Sequence, residues 1–421
     1  MDTFIITTIL VVVSAVFSFI NARFFKLPGA IGVISIAVVV SVIAVFTGEV
    51  FPVLFKTLTG LNNHIDFSQT LLNTMLGFLL FASALRFNWG ELKKQIGAVF
   101  ILSTVGVVLS TFIFGVLFNW LTNLVKVEIP FIYCLLFGAL ISPTDPVAVS
   151  AVLKKSNMPK HLETIITGES LFNDGIGLIL FVSVLEYISQ TGDQVHPSKI
   201  AALFAQEVFG GIALGTFLAF IAYRVMRKVD DFQTLVMVSL ALVMGISVLA
   251  NKLHLSIPLA VVSAGLLIGN LRFGKDPSGK LNDFLEKFWM IIDELLNTIL
   301  FVMIGLQIVM MPFLTHYWLI CIGAVLIILI ARGLSISVPV VFLRRTLNVN
   351  YNNVGILTWA GVRGGISIAL ALSIPNSRYK EVIEAGCYFI VIFSVVVQGL
   401  TLNKVTDIFV KKQPLHSPQL E

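Results

Sequence analysis

Four polar residues crowd into six positions of an otherwise apolar segment, "GESLFNDG" at 168–175: Glu169, Ser170, Asn173 and Asp174. Glu169 and Asn173 are four apart, as are Ser170 and Asp174, so on a helix each pair stacks on one face. At about 100° per residue the four fan over roughly 140°. That spread suits two contacts: Ser170 and Asp174 toward one neighbour, Glu169 and Asn173 toward another. Ionisable groups inside a membrane segment are functional candidates, and each needs a partner. Of 23 acidic residues, Asp145, Glu169 and Asp174 lie well inside apolar runs, while Asp293, Glu294 and Glu207 lie near run starts. The cations within runs are Arg332 and Arg363. One of them is expected to neutralise Glu169, because an unpaired buried charge costs far more than a paired one.

A second cluster supplies the chemistry that Asp174 needs. In "ISPTDPVAVS" (141–150), Pro143 and Pro146 bracket Thr144 and Asp145. Proline removes a backbone donor and clashes with the preceding turn, so the helix should unwind there. Unwinding frees backbone carbonyls beside the Thr144 hydroxyl, and Asp145 would offset the positive half-helix N-terminus. With the Asp174 carboxylate and the Ser170 hydroxyl these form an all-oxygen cage suited to a small alkali cation. The cage lacks the imidazoles and thiolates that transition metals favour. The expected metal ligands are thus Asp174, Ser170 and Thr144, with no resident cofactor beyond the transported ions.

These residues must be held by membrane helices. The 421-residue chain is 57% hydrophobic and 12% charged, against about 25% charged in soluble domains. Apolar runs of membrane-spanning length predict thirteen helices near 3–20, 29–47, 67–86, 97–120, 130–153, 161–186, 200–226, 233–250, 256–271, 288–311, 317–343, 354–375 and 382–406. The first is expected to stay as a helix, since no basic segment precedes it. With the N-terminus outside, 20 of the 28 basic residues fall in inside segments and six fall outside (Lys56, Lys126, Lys199, Lys252, Arg378 and Lys380). That bias supports thirteen spans, N-out and C-in. The formal charge of +5 follows from the same excess and implies no nucleic-acid partner. Cys134, Cys321 and Cys387 are dispersed, without metal or redox spacing.

The twelfth run carries a second interruption, "WAGVRGGISIA" at 359–369, where Gly361, Gly364 and Gly365 surround Arg363. The two interruptions are about 218 residues apart, and that offset carries the first six spans approximately onto the last six. The expected fold is therefore an all-α polytopic membrane protein, one membrane domain over 1–421. It contains a repeat at 3–186, a connecting helix at 200–226, an inverted repeat at 233–406 and a short cytoplasmic tail at 407–421. Broken helices at matching places in two halves mark a transporter's binding site. A hydrolase built on Ser170 would need a base, but His64, His161, His196, His254, His316 and His416 all lie in loops or at span ends. A passive cation channel is the rival in another class; paired buried charges and two matched breaks favour alternating access.

"SPTDPVAV" (142–149), "GESLFNDG" (168–175), "ARG" (331–333) and "GVRGGISIALAL" (361–372) resemble, in order, the signatures of the monovalent cation–proton antiporter family, in its NhaP- and sodium/proton-exchanger-like branch. "FWMIIDELLNTILFVMIGL" (288–306) is similar to its interface-side helix. The resemblance implies thirteen helices, inverted repeats, a homodimer and elevator-like alternating access. It implies that the discontinuous helices cross at Pro143, Pro146, Arg363, Gly364 and Gly365. It also implies exchange of Na⁺ or Li⁺ for H⁺ at Asp174, with Thr144 and Ser170 at ligand positions and Asp145 at the crossing. Glu169 and Asn173 match a pair held by the arginine that Arg332 matches, which leaves Arg363 to offset half-helix C-termini. The Asn173-Asp174 pairing resembles the electroneutral class. With Glu169 tied to arginine, one carboxylate is left to trade one proton for one monovalent cation, and K⁺ in place of Na⁺ is the alternative.

Overall fold

The computed structural model describes residues 3–46, 68, 70–145, 149, 158–189, 197–271, 280–307, 317–347 and 351–411. Among them every regular element is a helix. Helix α1 (Thr3–Ile20) gathers Thr7, Ser14 and Ser18 on one face, whereas α2 (Gly29–Phe46) is apolar around its whole circumference, as a lipid-embedded helix is. Asn21 closes the turn between them: its Nδ2 donates to Leu27 O at 3.1 Å and its Oδ1 accepts from Leu27 N at 3.3 Å. A π turn at Thr70–Met75 leads into α3 (Leu76–Leu85). Helices α4 (Trp89–Ile101) and α5 (Val107–Leu124) are joined by a π turn at Leu102–Gly106. Asn88 caps α4, accepting from Gly90 N at 2.8 Å and Glu91 N at 3.2 Å.

Helix α6 (Phe131–Ile141) stops where Pro143 removes the next donor. Then come α7 (Lys160–Ser189), α8 (Pro197–Met226), α9 (Phe232–Lys252) and α10 (Ile257–Gly269), the last two capped by Asp231 and Ser256. Helix α11 is Lys280–Gln307, and α12 is Trp318–Leu347 with Pro339 inside it. The second interruption separates α13 (Tyr351–Trp359) from α14 (Gly365–Ser373). Helix α15 (Lys380–Ile392) passes through a π turn at Phe393–Gln398 into α16 (Gly399–Lys411).

Eight of the described helices are long and apolar enough to cross a membrane, and apolar helices at Gly29–Val45, Thr70–Leu85, Phe131–Ile141 and Ile257–Gly269 are shorter. Several helices outrun their apolar runs. The run at 97–120 belongs to a helix from Trp89 to Leu124, and the run at 288–311 to a helix that begins at Lys280. The expected tail at 407–421 is helical as far as Lys411, and its remainder lies outside the described residues. Hydropathy reports where the hydrocarbon is, whereas a helix ends where its terminal groups find caps.

Large apolar side chains such as Phe100, Trp120, Phe209 and Phe342 are exposed on the outer surface, as expected for lipid contact. Inside, small residues allow close approach of helices. A Cβ on Gly215 of α8 would overlap the Ala260 carbonyl of α10. Helix α7 is central, packing on α4, α6, α8 and α10. Its polar residues therefore point into protein.

Candidate functional site

The two interruptions meet backbone to backbone. Asp145 N, released where α6 ends, donates to Val362 O at 2.7 Å in the gap between α13 and α14. A Cβ on Gly364 would overlap the Asp145 carboxylate, so only glycine lets Asp145 lie this close to the start of α14. A carboxylate at a helix N-terminus is favoured by the helix dipole. The half-helix that Asp145 offsets is therefore α14. Pro146 lies outside the described residues, as do 147, 148 and 150–157. Pro143 packs on α7, where a Cβ on Gly177 would overlap its ring.

Helix α7 presents its four polar residues to different neighbours. Glu169 is fully buried and forms a bidentate pair with Arg332 of α12, Nη2 donating to Oε2 at 2.7 Å and Nη1 to Oε1. Asn173 does not turn with Glu169 toward Arg332, contrary to expectation. Its Nδ2 donates to Thr144 Oγ1 at 2.7 Å, and its Oδ1 accepts from Thr144 N at 3.3 Å. The reason is local: the unwound backbone leaves Thr144 N without a helical acceptor beside the Thr144 hydroxyl, and one carboxamide accepts from the first and donates to the second. Ser170 Oγ shares a 2.7 Å hydrogen bond with Thr144 Oγ1. Ser170 thus stands behind Thr144, while Thr144 itself lines the cavity at Asp174.

Asp174 differs from all of these. It is 3% exposed, and its Oδ2 has no hydrogen-bond partner among the described residues. It faces a cavity of about 30 Å³ together with Thr144, Asp145, Ser83, Asn297 and Ser367. That is room for one or two waters or a small cation. A buried carboxylate without partners must be compensated by a proton or a cation.

Arg363 braces the crossing. Its backbone N donates to Ser394 Oγ at 2.7 Å and its Nη1 to Gly361 O at 3.1 Å. Ser394 donates to Gln398 Oε1 at 2.6 Å, and Gln398 Nε2 donates to Trp359 O at 3.2 Å. These contacts satisfy carbonyls left open at the end of α13. Gly365 packs directly against Leu300 of α11. Sequence reasoning passed over Ser394 and Gln398, and also Ser83 and Asn297. The signal available was spacing: Ser394 and Gln398 are four apart, as are Asp293 and Asn297, and each pair shares a helix face.

A buried carboxylate beside two crossing helix breaks, inside a bundle of apolar helices, defines a membrane transporter that handles small cations. The chain belongs to the sodium/hydrogen exchanger family, whose transmembrane model matches residues 9–407. It is 38% identical over 417 residues to the Na⁺/H⁺ antiporter NhaP of Pseudomonas aeruginosa, spanning 97% of each chain. It is 30% identical to the Na⁺/H⁺ antiporter NhaH of Halobacillus dabanensis, covering 80% of this chain and 82% of that one. In fold it is similar to the sodium proton antiporter MjNhaP1 of Methanocaldococcus jannaschii, with a TM-score of 0.75 and 17% identity, covering 98% and 100% of the two chains. The chain is accordingly a multi-pass cell-membrane protein of a cation/proton antiporter family.

Proposed function

We propose that this chain is a secondary active antiporter that exchanges Na⁺, or Li⁺, for H⁺ in 1:1 ratio by competition at Asp174. The observation that carries this reading is the contrast between two buried carboxylates. Glu169 is held by both arms of Arg332, while Asp174 Oδ2 has no partner among the described residues and faces a cavity. A proton or a monovalent cation each leaves Asp174 locally neutral. The bare carboxylate is costly to carry through a dry barrier. Only loaded forms then reorient, and inward and outward steps become coupled. Thr144 and Asp145 line the same cavity and would join Asp174 around Na⁺, and Ser170 and Asn173 orient Thr144.

The full topology belongs to the same proposal: thirteen spans, N-out and C-in, with the second six-helix repeat inverted on the first. The contact between Asp145 N and Val362 O supports the crossing at its centre. A homodimer in a bacterial inner membrane, working by elevator-like alternating access, completes the reading. The test is exchange in proteoliposomes driven by an imposed pH gradient, with Na⁺, Li⁺ and K⁺ offered separately, for wild type and Asp174→Asn. Loss of all exchange in the variant is expected, and retained exchange overturns the site. The K⁺ arm decides the alternative cation. An initial rate that depends strongly on membrane potential overturns the 1:1 stoichiometry.

A further inference from the structure

Three cavities meet at one hydrogen-bonded chain beside the exchange site. Arg86, just past the end of α3, pairs through Nη2 with Asp293 Oδ2 of α11. Asn297, one turn further along α11, donates from Nδ2 to Asp293 Oδ1 and Asp293 O, each at 2.8 Å. On one side, Ser83 and Arg86 line a cavity of about 370 Å³ whose rim carries the exposed Asn88 and Lys160. On another, Asp293 and Asn297 line a cavity of about 650 Å³ between α1, α2 and α11. Ser83 and Asn297 also line the small cavity at Asp174. The chain from Arg86 to Asn297 is the partition between all three.

Its charges are arranged unevenly. The 370 Å³ cavity carries Glu91, Glu163 and Glu286 against Lys160, a lining that attracts cations. Arg86 is the less exposed of its two cations, a guanidinium beside Ser83, whereas Lys160 is exposed at the rim. The Arg86 side chain is 23% exposed and that of Asp293 only 8%. Seen from the 370 Å³ cavity, the carboxylate thus sits behind the guanidinium. Two helices can be held together by apolar packing alone. A buried carboxylate aimed at this arginine does something further, cancelling a positive charge where a cation would have to pass.

We propose that Asp293 is a positioning residue for cation access: it neutralises Arg86 and holds it at the neck between the 370 Å³ cavity and Asp174. The inference rests on Asp174 as the exchange site. Asp293→Asn leaves Arg86 unopposed at the neck. In proteoliposomes at alkaline pH, where protons compete least, the KM for Na⁺ should rise about tenfold while the maximal rate falls much less. Because the neck is partly wet, the rise should shrink when ionic strength is increased with N-methyl-D-glucamine chloride. Adding Arg86→Gln to Asp293→Asn should bring KM back toward the wild-type value. Arg86→Gln alone, which leaves only the carboxylate, should not raise KM. A KM unmoved by Asp293→Asn, or a rise that persists in the double variant, overturns the proposal. Should Asp293→Asn fail to fold, a higher KM in Arg86→Gln alone overturns it equally. Exchange surviving in Asp174→Asn would be a separate failure, of the site and not of the neck.

Discussion

Glu169 and Asp174 are the same chemical group on the same helix, five residues apart, and the structure treats them oppositely. Glu169 is sealed, with both carboxylate oxygens answered by Arg332. Asp174 is nearly as buried, yet Oδ2 is unanswered among the described residues and borders a cavity. The turn of α7 between them is enough to aim one at α12, which is unbroken around Arg332, and the other at the place where α6 has come apart. A continuous helix offers only side chains as partners. A broken one offers backbone ends and space. The difference teaches that burial alone does not make an exchange site: a buried carboxylate must also lack a permanent counter-ion.

That contrast can be broken at either carboxylate. The largest effect is expected at Asp174, where the Asn variant should lose exchange outright and still be no less stable than wild type. No hydrogen bond to Oδ2 from a described residue is given up, so thermal unfolding in detergent should show an unchanged or higher midpoint. Glu169→Gln should do the reverse through stability. Stranding Arg332 in a buried site should cost about 3–5 kcal/mol, read as a lowered unfolding midpoint and poor yield of folded protein. The double variant Glu169→Gln/Arg332→Met should recover much of that loss.

Asn173→Asp sharpens the comparison by adding a carboxylate beside the site. It gives up the amide bond to Thr144 Oγ1 and supplies a second titrating group. Transport in this variant should acquire a dependence on membrane potential that wild type lacks, measured as initial rate against an imposed K⁺-valinomycin potential. The smallest effect is expected at the brace. Gln398→Ala removes the donor to Trp359 O and the acceptor for Ser394, which should cost about 1–2 kcal/mol without altering the order of preference among Na⁺, Li⁺ and K⁺.

Much of the site was legible in the chain because membrane sequences make charge conspicuous. Asp145, Glu169, Asp174, Arg332 and Arg363 stand out against hydrocarbon, and Pro143 and Gly364 mark where helices end. Asn173 was misplaced because spacing assigns a residue to a helix face, not to a partner on the neighbouring element. Its amide follows the unwound backbone of Thr144, which no periodicity announces. Ser83 and Asn297 were missed for a related reason. Single polar residues in apolar helices are common, and only the folded arrangement shows which of them border the cavity at Asp174.

By itself, then, the sequence determined that this chain lives in a membrane, roughly where its helices lie, where two of them break, and which acids need an explanation. Those follow from local energetics: the cost of charge and of open backbone groups in hydrocarbon. The tertiary structure alone decided that Glu169 meets Arg332 while Asp174 meets space, that Asp145 reaches α14 across the crossing, and that Asp293 answers Arg86. Each of those depends on groups over a hundred residues apart in the chain, or on the absence of a group, and neither is written in local spacing.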